Sequence, residues 1–198
     1  MKLYSNPASP FARKCRVIAL ELGLKLEEIQ TLPFQSPELR RINPLGKIPV
    51  LVLDDGSVLI DSPVICEYLN HVGGGKFFPG MSIWRNNSGR WKALGLQALG
   101  DGLADAAVGW VVLGREDPVP QAGRARHRET MLATLGTLER FKFSKDPTIG
   151  EISVACALGY VDLRLADLDW KTTYPNLSGW YGKFCQYPSM KATQPVVS

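Results

Sequence analysis

The hydrophobic pattern changes period once along this chain. Up to about residue 80, short apolar runs alternate with helical spacing; beyond that point only helical spacing remains. Leu3-Tyr4 opens a strand, and Ser9-Pro10 reads as a helix start, with an N-cap serine and proline at the first helical position. Phe11, Cys15, Ile18 and Leu22 follow at spacings of four, three and four, which predicts an amphipathic helix ending at Gly23. Residues 24–29 suit a second strand, 37–41 a short helix or turn, and 48–53 an apolar strand. Asp54-Asp55-Gly56 is hairpin-turn chemistry leading into residues 58–60. Asp61-Ser62-Pro63 caps another helix, whose apolar face is Ile65, Tyr68, Leu69 and Val72. The predicted order is strand, helix, strand, helix, strand, strand, helix, a small α/β layer.

Past Gly73-Gly74-Gly75 and Phe77-Phe78-Pro79-Gly80 the strand signals stop. A long helix is predicted from about residue 83 past residue 107, turning Trp84, Trp91, Leu94, Ala98 and Leu103 toward a core. A second covers roughly residues 122–141, after the break at Pro118 and Pro120. Thr148-Ile149-Gly150-Glu151 is a capping box that opens a third, with Ile152, Cys156, Gly159 and Leu163 on its face. A last helix is predicted over about residues 176–186. Gly95, Gly100, Gly102, Gly109 and Gly159 lie inside these helices and read as points of close packing, at a local cost near ~1 kcal/mol each. The fold class expected is therefore α/β plus all-α, with an N-terminal domain over residues 1–80 and an all-helical domain over 81–198.

Composition narrows the function classes. Hydrophobic residues make up 45% of the 198 and charged residues 21%, a balance that buries a core and excludes disorder. No apolar run approaches the ~20 residues of a membrane span, so no membrane partner is expected. The first residues lack an apolar signal core, which points to a cytoplasmic location. The net charge of +4 is spread evenly, with 9 basic and 8 acidic side chains in residues 1–80, so nothing here suggests a nucleic-acid footprint. Cys15, Cys66, Cys156 and Cys185 lie far apart, and only His71 and His127 could join them. They read as reduced thiols, the first three on apolar helix faces, and no metal is expected.

Three local features carry candidate chemistry. Pro49 interrupts a strand run, and proline cannot supply a ladder donor from a central strand. An edge-strand proline is the simpler reading of that residue alone; a cis Ile48-Pro49 turn, leaving Ile48 free to pair with an extended ligand, is the other. Ser9 and Ser62 each stand at a helix N-terminus, where free N–H groups and the helix dipole favour an anion; plain capping is the simpler reading for either alone.

Taken in order on one α/β layer ahead of a helical bundle, the three make a specific constellation. The chain resembles the cytosolic glutathione S-transferases over essentially its full length. The segments that carry the resemblance are Ala8-Ser9-Pro10-Phe11-Ala12-Arg13-Lys14, Asn43-Pro44-Leu45-Gly46-Lys47-Ile48-Pro49-Val50-Leu51, Asp61-Ser62-Pro63-Val64-Ile65-Cys66-Glu67-Tyr68-Leu69 and the Thr148–Glu151 box. It is nearest to bacterial members and to the serine-using theta and tau classes.

The resemblance implies a thioredoxin-like first domain that binds glutathione as co-substrate. It implies that Ile48, ahead of Pro49, pairs with the cysteinyl unit, that Ser62 holds the γ-glutamyl carboxylate, and that Asp61 accepts from the γ-glutamyl ammonium. Lys47 is placed to neutralise a carboxylate of the ligand. Ser9 would donate to the glutathione sulfur and stabilise its thiolate, with Asn6, Ser5 and then Tyr4 as alternative donors. Serine at this position, where disulfide-exchanging members carry cysteine, argues against a mixed-disulfide mechanism. Arg13 is read as an exposed helix arginine.

For the small hydrophobic electrophile the resemblance points to Pro7, Phe11, Leu103 and Trp110, for each of which core is the simpler reading. The activity implied is transfer of glutathione to that electrophile by a homodimer. Two alternatives stay open: a glutathione-dependent peroxidase or isomerase, and a non-catalytic glutathione-binding or regulatory protein of the same fold.

Overall fold

The computed structural model describes residues 1–33, 35–80 and 88–197. Four strands form one sheet in the order β2-β1-β3-β4. β1 (Lys2–Ser5) runs parallel to β2 (Glu27–Gln30) and antiparallel to β3 (Val50–Val52), which runs antiparallel to β4 (Val58–Leu59). The parallel pair requires a crossover, and α1 (Pro10–Glu21) supplies it. Side chains alternate across the sheet. Leu3 and Leu51, paired in register, are fully buried in the main core with α1 and α3 (Ser62–Val72). Tyr4 and Val50, one position along, face the other side and pack with Leu39 of α2 (Pro37–Ile42) in a second, smaller core. This is the thioredoxin-like layer, with the predicted element order.

Helices begin where capping chemistry stands. Ser9 Oγ accepts from Ala12 N at 3.2 Å and Ser36 Oγ from Leu39 N at 3.1 Å, each followed by proline at the first helical position. Gly23, at φ +66°, ends the first turn after α1 in the left-handed region that glycine enters without strain. The helical half comprises α4 (Ser88–Leu113), α5 (Gln121–Glu139), α6 (Ile149–Arg164), α7 (Trp170–Thr173), α8 (Pro175–Phe184) and α9 (Pro188–Ala192). The expected start of the long helix, with Ile83 and Trp84, lies outside the described residues. The capping box on α6 is formed: Thr148 N donates to Glu151 Oε2 at 2.9 Å, while Thr148 Oγ1 accepts from the next turn.

α6 is buried from Ile149 to Val161 and is the central helix, with α4 laid closely against it. A Cβ on Gly100 would stand 2.6 Å from the Val154 nitrogen, and one on Gly150 2.6 Å from Leu96 Cβ, so both glycines set that close approach. Gly95 and Gly102 differ from expectation, because a Cβ at either would meet nothing within 4 Å. α4 is also long and apolar enough, by length and composition, to cross a membrane, which the sequence pattern did not suggest. Here it packs against α5 and α6 as a bundle helix.

Trp91, Ala98, Val72 and Arg13 depart from the expected orientation, Ala98 and Val72 being exposed. Trp91 stands 61% exposed rather than in the core. Arg13 is buried, donating through Nη2 to Met190 O at 3.1 Å and through Nε to Thr193 Oγ1 at 3.4 Å, and so ties α1 to α9. Lys14 beside it is buried too, with Nζ 2.6 and 2.7 Å from the two oxygens of Asp101 on α4. Arg13 was expected in solvent; with Lys14 it marks the seam of α1 with the bundle. α7 and α9, too short for a periodic signal, extend the single last helix that was expected.

Candidate functional site

A groove of about 480 Å³ runs between the α/β layer and the bundle. Its first wall is built from loops at the ends of strands. Between β1 and α1, Asn6 Oδ1 accepts from Ala8 N at 3.0 Å and Asn6 O from Ser9 N at 2.9 Å, a turn that presents Ser9 at the groove. The cap bond from Ala12 N uses an acceptor lone pair of Ser9 Oγ and leaves its O–H free to donate. Of the four hydroxyl or amide candidates, Ser9 and Asn6 line the groove. Ser5 is fully buried and donates to Glu28 at 3.1 Å; Tyr4 donates to Glu38 at 3.2 Å beneath α2. Desolvation and then the Glu38 charge raise the Tyr4 pKa, which further removes it from acid–base work at neutral pH.

Buried Asn43 holds the next loop. Its Nδ2 donates to Lys47 O at 2.8 Å, its Oδ1 accepts from Leu45 N at 3.0 Å, and Gly46, at φ +63°, turns back to its carbonyl. The Ile48–Pro49 peptide that follows is cis, and β3 begins only at Val50, so Ile48 lies on the groove ahead of the ladder. Asn43 is a residue that sequence reasoning quoted without giving a role, although Asn-Pro-x-Gly is recognisable turn chemistry. Lys47 is exposed at the rim and makes no ion pair among the described residues.

Asp61 is the N-cap of α3 and makes no side-chain cap bond, while Ser62, the first helical residue, is buried at the groove. Neither α1 nor α3 carries an acidic residue in its first turn. Two helix N-termini thus open on one groove, that of α1 with no acidic side chain at its cap or in its first turn and that of α3 with the Asp61 carboxylate at its cap. The thiols below take no part. Cys15 and Cys66 lie 3.7 Å apart between α1 and α3, and burial raises Cys15 far above the ordinary thiol range and Cys156 to about 12. Protonated thiols in this setting are packing groups.

The second wall is helical. Asp105, Val108, Val111 and Val112 come from α4, Arg115 from the turn that follows it, and Tyr160 and Arg164 from α6. Of the residues expected for an electrophile pocket, Phe11 lines the groove. Leu103 is fully buried in the core, Trp110 has the Arg124 guanidinium 3.5 Å from its ring centroid, and Pro7 is not among the lining residues. The helical phase explains the substitution: the residues that face the groove sit three or four apart from Asp105, and Leu103 and Trp110 fall on other faces. Sequence reasoning missed this whole wall, whose only signal was that spacing. Burial raises the Asp105 pKa, with Lys47 and Lys14 opposing the shift and Asp61 adding to it.

The arrangement can hold an extended, peptide-like anion along the first wall and a second molecule against the helical one. Residues 3–76 match the glutathione S-transferase N-terminal domain and residues 121–183 the C-terminal domain. The chain is 32% identical to the GST-like protein YibF of Escherichia coli, over 98% of each chain. Among solved structures, a glutathione transferase family member from Pseudomonas fluorescens with bound glutathione is 39% identical, covers 99% of each chain, and superposes with a TM-score of 0.87. A crystal structure from that same organism holds S-(propanoic acid)-glutathione, again at 39% identity over both whole chains, with a TM-score of 0.84. A glutathione-bound glutathione S-transferase from Methylobacillus flagellatus is 35% identical over 98% of this chain and 99% of its own, with a TM-score of 0.87.

Proposed function

This chain belongs to the glutathione S-transferase family, and from that premise we propose that it ionises the thiol of glutathione and transfers the thiolate to a small electrophile. The observation that carries the reading is Ser9: a half-buried hydroxyl with a free O–H, at the positive end of α1, on the groove that Ile48, Asp61 and Ser62 also line. Glutathione bound in the similar structures supports its choice as the thiol.

In this reading the γ-glutamyl carboxylate sits at the N-terminus of α3, on the Ser62 hydroxyl and N–H, and the Asp61 carboxylate accepts from the γ-glutamyl ammonium. The cysteinyl unit pairs with the Ile48 backbone. Lys47 neutralises the glycyl carboxylate. The thiol then lies against Ser9. A free thiol has a pKa near ~8.5, so only a few per cent is ionised at pH 7; a hydroxyl donor and the α1 dipole both favour the thiolate. The thiol proton leaves to solvent, and the sulfur attacks an electrophilic carbon held against Phe11 and the valines of α4.

Ser9→Ala tests this. A hydrogen bond to a charged group contributes about 1.5–3 kcal/mol, so turnover at neutral pH should fall roughly ten- to a hundredfold with glutathione affinity little changed. Thiolate absorbance of bound glutathione should titrate at higher pH in the variant, and activity should recover as pH rises. An unshifted titration in Ser9→Ala would move the donor to Asn6. A bound thiol with the pKa of free glutathione in the unaltered protein would favour the binding-protein reading instead.

We propose in addition that the protein is a cytoplasmic homodimer. The exposed Trp91 and Val64, on α4 and α3 where Arg90 pairs with Glu67, offer apolar surface for a two-fold contact. A monomeric mass in solution at micromolar concentration would count against it.

A further inference from the structure

The groove separates its charges. Toward the first wall, Lys47 shares its surroundings with the carboxylates of Asp61 and Asp105. At the opposite end stand two guanidiniums, Arg115 just past the end of α4 and Arg164 at the end of α6, and neither makes an ion pair among the described residues. Arg164 Nε is buried with no hydrogen-bond partner. Tyr160, 7% exposed, has both guanidiniums near its hydroxyl and a side-chain hydrogen bond with Arg164, so the donor of Arg164 that lacks a partner is Nε. Phe11, Val108, Val111 and Val112 make the stretch from Ser9 to this end apolar. A desolvated guanidinium donor without an acceptor is unfavourable, and a planar carboxylate is the acceptor that matches its fork.

We propose that the electrophile is an organic acid, with a reactive carbon near Ser9 and a carboxylate carried on a short apolar frame to Arg115, Arg164 and Tyr160. This rests on the transferase reading above and names the substrate class of the same site. The arginines hold the far end of the substrate and take no part in bond making, so they are specificity-determining residues. The side chains of Phe11, Val108, Val111 and Val112 offer a polar frame no hydrogen-bond partner, and the two cations would leave a neutral substrate's end facing unpaired donors.

A matched pair of substrates tests the assignment: 4-chloro-3,5-dinitrobenzoate and its methyl ester, which react at the same ring carbon. In each, the thiolate sulfur forms a bond to that carbon, the carbon–chlorine bond breaks, chloride departs with the electron pair, and the thiol proton goes to solvent. With kcat/KM divided by the uncatalysed rate with glutathione, the acid should exceed the ester by at least about tenfold, the ratio expected of one charged contact. Arg115→Gln/Arg164→Gln should remove that preference, by lowering the acid's value while the ester's holds or rises as the unpaired donors facing it are removed. Equal preference in the unaltered protein overturns the proposal, and so does an equal loss for both substrates in the variant, which would mark the arginines as structural.

Binding of the two preformed glutathione conjugates, measured by calorimetry, keeps this apart from the catalytic reading. The acid conjugate should bind about tenfold more tightly than its ester, and the variant should abolish the difference, whether or not the protein turns over either substrate. If the conjugates discriminate but neither substrate reacts, the transferase reading fails and the acid site stands. If both substrates react but the conjugates bind alike, the acid site fails alone.

Discussion

The two walls of the groove are made by different means. The first wall is backbone: a helix N-terminus at Ser9, the cis turn at Ile48-Pro49 and a second helix N-terminus at Asp61-Ser62. Each is held by bonds within a few residues, such as those of Asn6 and Asn43. The second wall is side chains on two rigid helices, and its residues come together only because α4 and α6 approach closely at Gly100 and Gly150. A wall made of main-chain donors suits a ligand shared by a whole family. A wall made of side chains can change its chemistry one residue at a time without moving the first.

The walls meet at α1, and the largest effect should come from breaking that seam. Asp101→Asn leaves the Lys14 cation buried against a neutral partner, and removal of one member of a buried pair costs about 3 kcal/mol or more. Urea unfolding should show a loss of that order, and Lys14→Met/Asp101→Leu should recover much of it. A loss under about 1 kcal/mol would mean the pair is solvated and the walls are joined by packing alone.

A smaller and more local effect isolates the first wall. Ser62→Ala should weaken glutathione binding by about 1–3 kcal/mol, the range for a charge-assisted hydrogen bond lost from a shielded carboxylate. The ratio between acid and ester conjugates should stay as it was, because that ratio belongs to the helical wall. A calorimetric titration in which both change together would show the walls to be coupled.

The smallest effect concerns the helical wall's own acid. Burial raises the Asp105 pKa above the ordinary 3.8, so the folded state holds that proton more tightly than the unfolded chain does. Its ionisation therefore opposes folding once pH rises above the folded value, and the penalty vanishes below the unfolded one. Asp105→Asn should stabilise the protein at pH 7 by less than about 1 kcal/mol, given how much solvent reaches the carboxylate, and by nothing near pH 3. Melting curves at the two pH values give the comparison. A variant less stable at pH 7 would mean that the attraction of Lys47 and Lys14 outweighs burial.

Legibility in the sequence followed the range of the forces involved. Ser9-Pro10, Gly23, Asp61-Ser62-Pro63 and the Thr148–Glu151 box act over three or four residues, so the pattern located both ends of α1, the start of α3 and the start of α6. Those caps and turns, with the proline at position 49, were enough to mark the first wall before any coordinates. Which faces of the strands carry the core, with Leu3 and Leu51 on one side and Tyr4 and Val50 on the other, became visible only in the sheet.

Arg13 was misread and Lys14 passed over because a charged residue's burial depends on a partner far along the chain. Met190 lies 177 residues away and Asp101 lies 87, and no local spacing announces either. Leu103 and Trp110 were drawn toward the groove for the same reason: helical periodicity shows that a face exists but not which neighbour it meets. Arg115, Tyr160 and Arg164 sit on or just past helices whose relative position is set by the contact of Gly100 with α6. The sequence by itself determined the turns, the caps and the order of the elements, since these are short-range hydrogen-bond and steric choices. The second wall was decided by tertiary packing, because helices present the same side chains whatever they face, and only their docking selects the ones that line a site.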